Sequence, residues 1–89
     1  MYRLEVERQA QKALARLPRD IQRRIEAKID SLAEDPRPVG CEMVQDAPKG
    51  TYRVWVGRYR VIYIILDDEQ IIVVARVRKR DESTYRGLK

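Results

Sequence analysis

Histidine and phenylalanine are both missing from this 89-residue chain, and cysteine and tryptophan occur once each. The lack of histidine excludes a good deal of chemistry. No Ser-His-Asp triad, Cys-His pair, His–His acid/base pair or His-ligated zinc can form, so any catalysis falls to carboxylates, Tyr, Lys or Arg. The lone Cys41 rules out a disulfide framework and a thiolate metal cluster, which fits a reducing cytosol, and no imidazole is present to activate it. Apolar runs such as Ile71 to Ala75 are far too short to span a bilayer. Met1 leads straight into a segment charged at Arg3, Glu5 and Glu7, so no secretory leader is expected and the cytoplasm is the expected compartment. Acidic clusters are sparse. Asp67-Asp68-Glu69 lies between two apolar runs, where a hairpin turn favours Asp, and Asp81-Glu82 is a short pair. Neither a metal nor another cofactor is expected.

What is abundant is positive charge, and it is localised. Residues 1–48 hold nine Lys/Arg and nine Asp/Glu, whereas residues 49–89 hold ten and five, so the net charge of +5 belongs entirely to the second half. Arginines there fall at strand-like positions (Arg53, Arg60, Arg76, Arg78), then crowd into Arg78-Lys79-Arg80 ahead of Tyr85-Arg86. A localised positive surface with aromatics among the arginines is the footprint of a protein that grips phosphate backbones. A charge that served only solubility would have no reason to avoid half the chain.

Eighty-nine residues form one domain, 1–89, with a single modest core, and 44% hydrophobic content is enough to fold it. Tyr2 to Val6 alternates apolar and charged, as a half-buried strand does. Ala10, Ala13, Leu14 and Leu17 recur at i, i+3, i+4 and i+7, predicting a helix from about Glu7 to Leu17. Pro18 ends it and opens a second helix, striped by Ile21, Ile25, Ile29, Leu32 and Ala33, that runs to about Glu34. Pro36 and Pro38 stop that helix, and Gly40 to Pro48 reads as loop. Tyr52–Val56, Tyr59–Leu66 and Gln70–Val77 then read as a three-stranded antiparallel meander. The expected class is α+β: one curved antiparallel sheet formed by the N-terminal strand and the meander, with the helical hairpin on one face. Val61 to Leu66 is apolar on both sides, which marks it as a central strand.

If Gly57-Arg58 is a two-residue turn, Val56 faces Tyr59 and Trp55 faces Arg60. Arg53, Trp55, Arg60 and Ile62 then share one face, while Val54, Val56, Val61 and Tyr63 turn towards the helices. A next turn centred on Asp68-Glu69-Gln70 brings Arg76 and Arg78 to the same face as Arg60, and a slip of one residue would remove them from it. Trp55 on such a face is a platform for a nucleobase or a guanidinium. The phosphate- and base-contacting set is expected to comprise Lys49, Trp55, Arg58, Arg76, Arg78, Lys79 and Arg86.

The stretch Tyr52-Arg53-Val54-Trp55-Val56-Gly57-Arg58-Tyr59-Arg60-Val61-Ile62-Tyr63 resembles the central hairpin of the RelE/ParE superfamily of bacterial and archaeal toxins. Arg76-Val77-Arg78-Lys79-Arg80 followed by Tyr85-Arg86 is similar to the basic C-terminal end of its RelE branch, and the order of strand, two helices and three strands covers nearly the whole chain. The resemblance implies a metal-independent endoribonuclease that cuts mRNA in the decoding site of the ribosome by attack of a 2′-hydroxyl. It also implies an acidic cognate antitoxin that holds the enzyme inactive. Arg53, Arg60, Arg80 and Tyr85 fall at the positions of that branch's catalytic residues. Trp55 stands where well-known members carry a second lysine, so Arg58 or Lys49 would have to supply that charge. Tyr85 between Arg80 and Arg86 is a candidate base, since neighbouring guanidinium groups favour an ionised phenol. Two other readings use the same residues. A ParE-type toxin acts on DNA gyrase and has no need of Arg53, Arg60, Arg80 and Tyr85 together. A non-catalytic nucleic-acid-binding module would use the arginines for phosphate contact alone.

Overall fold

Alternation builds the sheet of this protein and 3.6-residue periodicity builds its two helices. The computed structural model describes residues 1–80. The elements run β1 (Arg3–Val6), α1 (Arg8–Ala15), α2 (Arg19–Leu32), β2 (Glu42–Met43), β3 (Thr51–Val56), β4 (Tyr59–Leu66) and β5 (Ile71–Lys79). All five strands join one sheet in the order β1-β5-β4-β3-β2, so β4 is central, as its two-sided apolarity requires. The sheet is mixed where an antiparallel one is expected: the two helices carry the chain to the far edge, it returns with β5 running alongside β1 in parallel, and the other pairs are antiparallel.

Both helices lie on one face. Ala10 and Leu14 of α1 and Ile25, Ile29 and Leu32 of α2 form a single core with Val54, Val61, Tyr63, Ile65, Ile72, Val74 and Val77. Pro18 caps α2, and Asp20 in its first turn places a carboxylate at the positive end of the helix dipole. Tyr63 is wholly buried, and its hydroxyl donates to the Pro36 carbonyl at 2.7 Å, tying the chain after α2 to the sheet. Burial raises the Tyr63 phenol pKa well above its ordinary value.

Two local features depart from the sequence reading. The segment expected as loop contains β2, whose two residues pair with Arg53 and Tyr52; so short a strand has no periodicity to reveal it. The β4–β5 turn is also one residue different. Leu66 pairs with Ile71 and Ile64 with Val73, around a turn spanning Asp67 to Gln70, whose Gln70 takes φ of 55°. Continued unbroken, that register would have pointed Arg76 and Arg78 at the helices. A β-bulge intervenes: Tyr63 pairs with Val74 and Ile62 with Arg76, leaving Ala75 as the extra residue. Beyond it Val77 enters the core while Arg76 and Arg78 turn outward. The expected face is reached, through a bulge rather than through a turn centred on Glu69.

Gly57 makes the β3–β4 hairpin tight. It takes φ of 59° while Arg58 stays at negative φ, the sequence of signs in a II′ turn, which matches the twist of the flanking strands. Trp55 consequently lies opposite Arg60 and Val56 opposite Tyr59. No helix among the described residues is long and apolar enough to cross a membrane.

Candidate nucleic-acid interface

Strand pairing sorts the basic residues into two cross-strand rows on the face away from the helices. Trp55, Arg60 and Arg78 form one, at the Gly57-Arg58 end of the sheet, and Arg53, Ile62 and Arg76 form the next. Arg80 joins the first row. Its backbone N–H donates to the Arg58 carbonyl at 2.6 Å, which continues the β4–β5 ladder past Lys79, and its guanidinium carbon lies over the Trp55 ring, 5.5 Å from the centroid. Five arginines and one indole thus share the face. No described element covers this face.

The members differ in how they are held. Arg53 Nε donates to Glu42 Oε1 at 2.8 Å, so β2 brings a counter-ion that the sequence did not disclose. Arg76 donates to the Ala75 carbonyl at 2.9 Å and lies 3.6 Å from a Glu7 carboxylate oxygen. Arg58, Arg60, Arg78 and Arg80 have no carboxylate within ion-pair distance among the described residues. Arg60 is further marked: its Nε is shielded from solvent and has no hydrogen-bond partner. A buried donor of that kind costs free energy until an acceptor reaches it. The direct opposition of Arg60 and Arg78 is also unfavourable in itself, because like charges across a ladder repel. An anion placed between them would relieve both penalties.

Two expected members lie elsewhere. Lys79 pairs with Tyr59 and therefore projects to the helix side, beside Ile21 and Arg24. Lys49 lies in the β2–β3 connection, at the far end of β3 from Trp55, where it lines a 680 Å³ cavity with Met43 and the Asp67-Asp68-Glu69 turn. Arg58 sits in the hairpin turn at the edge of the arginine rows. Tyr85 and Arg86, and with them the acidic pair Asp81-Glu82, lie outside the described residues. Among the described residues no group of three or more Cys, Asp or Glu side chains is gathered to hold a metal ion.

The opposite end of the sheet carries a separate polar network. The Tyr2 hydroxyl donates to Asp67 Oδ1 at 2.6 Å, while Arg37 donates to Asp67 Oδ2 at 2.9 Å and to the Tyr52 hydroxyl at 3.2 Å. The Tyr2 hydroxyl, and after it the Arg37 guanidinium, hold the Asp67 carboxyl below its ordinary pKa. Hydrogen bonding to that carboxylate in turn raises the Tyr2 phenol. The network locks the β1 edge, the segment after α2 and the β4–β5 turn together, and its work is structural.

Comparison with known proteins gives a consistent picture. Residues 4–84 match the family model described as the ParE toxin of the type II toxin–antitoxin system parDE. A Methanocaldococcus jannaschii protein named as toxin RelE1 is 28% identical over 89 residues, covering 97% of each chain. Among solved structures, a chain of the archaeal RelE–RelB complex from Pyrococcus horikoshii superposes with a TM-score of 0.79 at 29% identity, over 89% of this chain and 94% of that one. The isolated Escherichia coli RelE toxin gives a TM-score of 0.77 at 22% identity, over 99% and 96%, which shows the same fold.

Proposed function

This chain belongs to the ParE toxin family of type II toxin–antitoxin systems, within the RelE/ParE superfamily, and we propose that it is a ribosome-dependent endoribonuclease that cuts mRNA in the decoding site. The arginine face carries this reading, and above all Arg60, with its solvent-shielded, unpartnered Nε beside the opposed Arg78. The RelE names of its archaeal relatives point the same way.

Cleavage by a neighbouring 2′-hydroxyl needs three things: a group to take its proton, positive charge on the phosphorane-like transition state, and a donor for the departing 5′-oxygen. Arg60, Arg78 and Arg80 suit the second need, since preorganised cations oppose charge that grows only in the transition state. Arg53 is positioned by Glu42 to approach the same phosphate from β3. The proton transfers are assigned to Tyr85, whose phenol would have to be ionised by guanidinium groups near it. Positive charge comes from the arginines, so cleavage is expected to continue in EDTA at concentrations that leave ribosomes intact. The ribosome would hold the mRNA in line, which lets so few groups suffice.

Relatives solved as RelE–RelB complexes support a cognate antitoxin as the partner. The test is incubation with translating ribosomes and mRNA beside a matched sample of free RNA. Rapid cleavage of the first, leaving a cyclic phosphate and a 5′-hydroxyl, with little of the second, supports the reading. The ParE identity of the matching family model favours one rival, inhibition of DNA gyrase. Intact mRNA together with blocked DNA supercoiling would establish that rival instead.

A further inference from the structure

Helix α2 carries an adjacent pair of cations where it passes the β3–β4 hairpin. Arg24 and Lys28, four residues apart, face the β3 side, where with Ala27, Ser31 and Gly57 they line a shallow cleft of about 520 Å³ against Trp55. Glu26 and Asp30 face the other way, into a groove beside Val6 and Leu14 of the first layer. Like charges at i, i+4 destabilise a helix, and the one carboxylate on this stripe, Asp20, is next to Arg24 and not to Lys28. Neither Arg24 nor Lys28 has an ion-pair partner among the described residues. Arg24 also reaches the hairpin: a Cβ built on Gly57 would meet its Nη2 at 3.7 Å. Trp55 is therefore shared. It belongs to the arginine face, where Arg80 lies over its ring, and it forms one wall of the α2 cleft.

We propose that this cleft is a second single-stranded nucleic-acid subsite, continuous with the arginine face, in which one base stacks on Trp55 and the adjoining phosphates are held by Arg24 and Lys28. The choice of RNA as ligand rests on the ribonuclease reading; the stacking geometry and the basic stripe do not. Indole and guanidinium are both sequence-tolerant partners for a base, so the subsite would hold the strand without selecting its sequence. Arg80 keeps the indole in place from the arginine face, and a base entering the cleft would complete the stack. A strand bound this way turns around the Gly57-Arg58 hairpin, with the scissile phosphate at Arg60 and a neighbouring nucleotide beyond Trp55.

Trp55 is the only tryptophan in the chain, so its fluorescence reports a base at the indole that the two surfaces share, and loss of Arg24 and Lys28 shows whether the strand runs through the cleft. The full-length protein is titrated, without ribosomes, with a short single-stranded RNA and with an abasic sugar-phosphate strand of equal length, binding being followed in parallel by anisotropy. RNA should quench Trp55 saturably, and the abasic strand should bind without quenching. In the Arg24→Ala/Lys28→Ala double variant the slope of log affinity against log salt should be shallower by about 1.4, from about 0.7 per lost single-strand phosphate contact. An Arg19→Ala/Arg23→Ala variant, altered at α2 positions that do not line the cleft, should keep the original slope. RNA that binds without quenching, RNA that fails to bind at low salt, or a double variant with the wild-type slope would each overturn the proposal. Should the double variant unfold, Arg24→Gln/Lys28→Gln, which keeps the side-chain bulk, provides the same salt-slope comparison. Absence of mRNA cleavage with quenching intact would sink the ribonuclease reading and leave the subsite standing; cleavage without quenching would do the reverse.

Discussion

At the scale of single residues the proposed cleavage rests most heavily on Arg60. It is half-buried, its Nε has no partner, and it faces Arg78 across the ladder. Arg60→Ala and Arg80→Ala should each lower the cleavage rate about 10²–10³-fold, the usual loss for one preorganised charge contact. Thermal midpoints should stay close to wild type, because neither side chain makes an ion pair among the described residues. Unfolded variants would make Arg60 a structural residue. Tyr85→Phe should bind mRNA normally and cut slowly, whereas full activity would move the proton transfer to another group; Lys49 and Lys79 lie away from the arginine face and do not qualify. A different residue governs behaviour in acid. Asp67 is held ionised below its ordinary pKa, so its links to Tyr2 and Arg37 contribute stability above about pH 4 that fades as pH falls through the folded-state value. Tyr2 and Tyr63, both raised, act in the opposite sense and lose their contribution as pH climbs beyond about 10. Melting curves against pH should show both limbs, and Asp67→Asn should flatten the acid one. Identities and spacing alone disclose Arg53, Trp55 and Arg60 as neighbours, since a two-residue turn fixes their register. They do not disclose Glu42 or Glu7, whose pairing with Arg53 and Arg76 depends on contacts between segments far apart in the chain.

Among the elements, the β4–β5 ladder decides where the site is. The bulge at Ala75 changes the parity of β5, so that one strand supplies Ile72 and Val74 to the core near the turn and Arg76 and Arg78 to the outer face beyond it. Alternation read along the sequence shows Val77 flanked by two arginines, which is why those arginines could be placed. The bulge itself has no residue signature here, so the sequence alone places the turn one residue out of register. Lys79 shows the limit of reading a basic run as one surface, for strand alternation sends it to the face opposite Arg78 and Arg80. Gly50 supports the same sheet from its other end. It takes φ of 91°, and a Cβ on it would lie 2.8 Å from the Ile65 carbonyl oxygen, which leaves no room for a side chain. Gly50→Ala should destabilise the protein by roughly 1–3 kcal/mol or more through backbone strain and collision. Equilibrium denaturation would measure this; a loss below about 0.5 kcal/mol, ordinary for a surface substitution, would mean that the β3 entry is less constrained than its geometry indicates.

Considered whole, the molecule keeps its apolar layer and its basic face on opposite sides of a single sheet. That division was legible, because amphipathic helices must cover one face and the arginines fall on the alternate positions. The parallel pairing of β1 with β5 was not, since a four-residue strand carries no mark of its partner across more than sixty intervening residues. The basic face should also govern association. An acidic antitoxin should bind rapidly at low ionic strength and more slowly as salt screens the approach. Stopped-flow rates at several salt concentrations would show it, and a salt-independent rate would place recognition on the apolar surface. Expression of the chain alone should arrest growth, with relief on co-expression of that partner. Most direct of all is the mapping of new 5′-ends on mRNA after incubation with translating ribosomes, comparing wild type with Arg60→Ala. Cuts confined to the codon in the decoding site, abolished or slowed at least a hundredfold by the substitution, are expected if the arginine face performs the cleavage. Intact mRNA with the folded wild-type protein, or cuts that Arg60→Ala leaves unchanged, would contradict it.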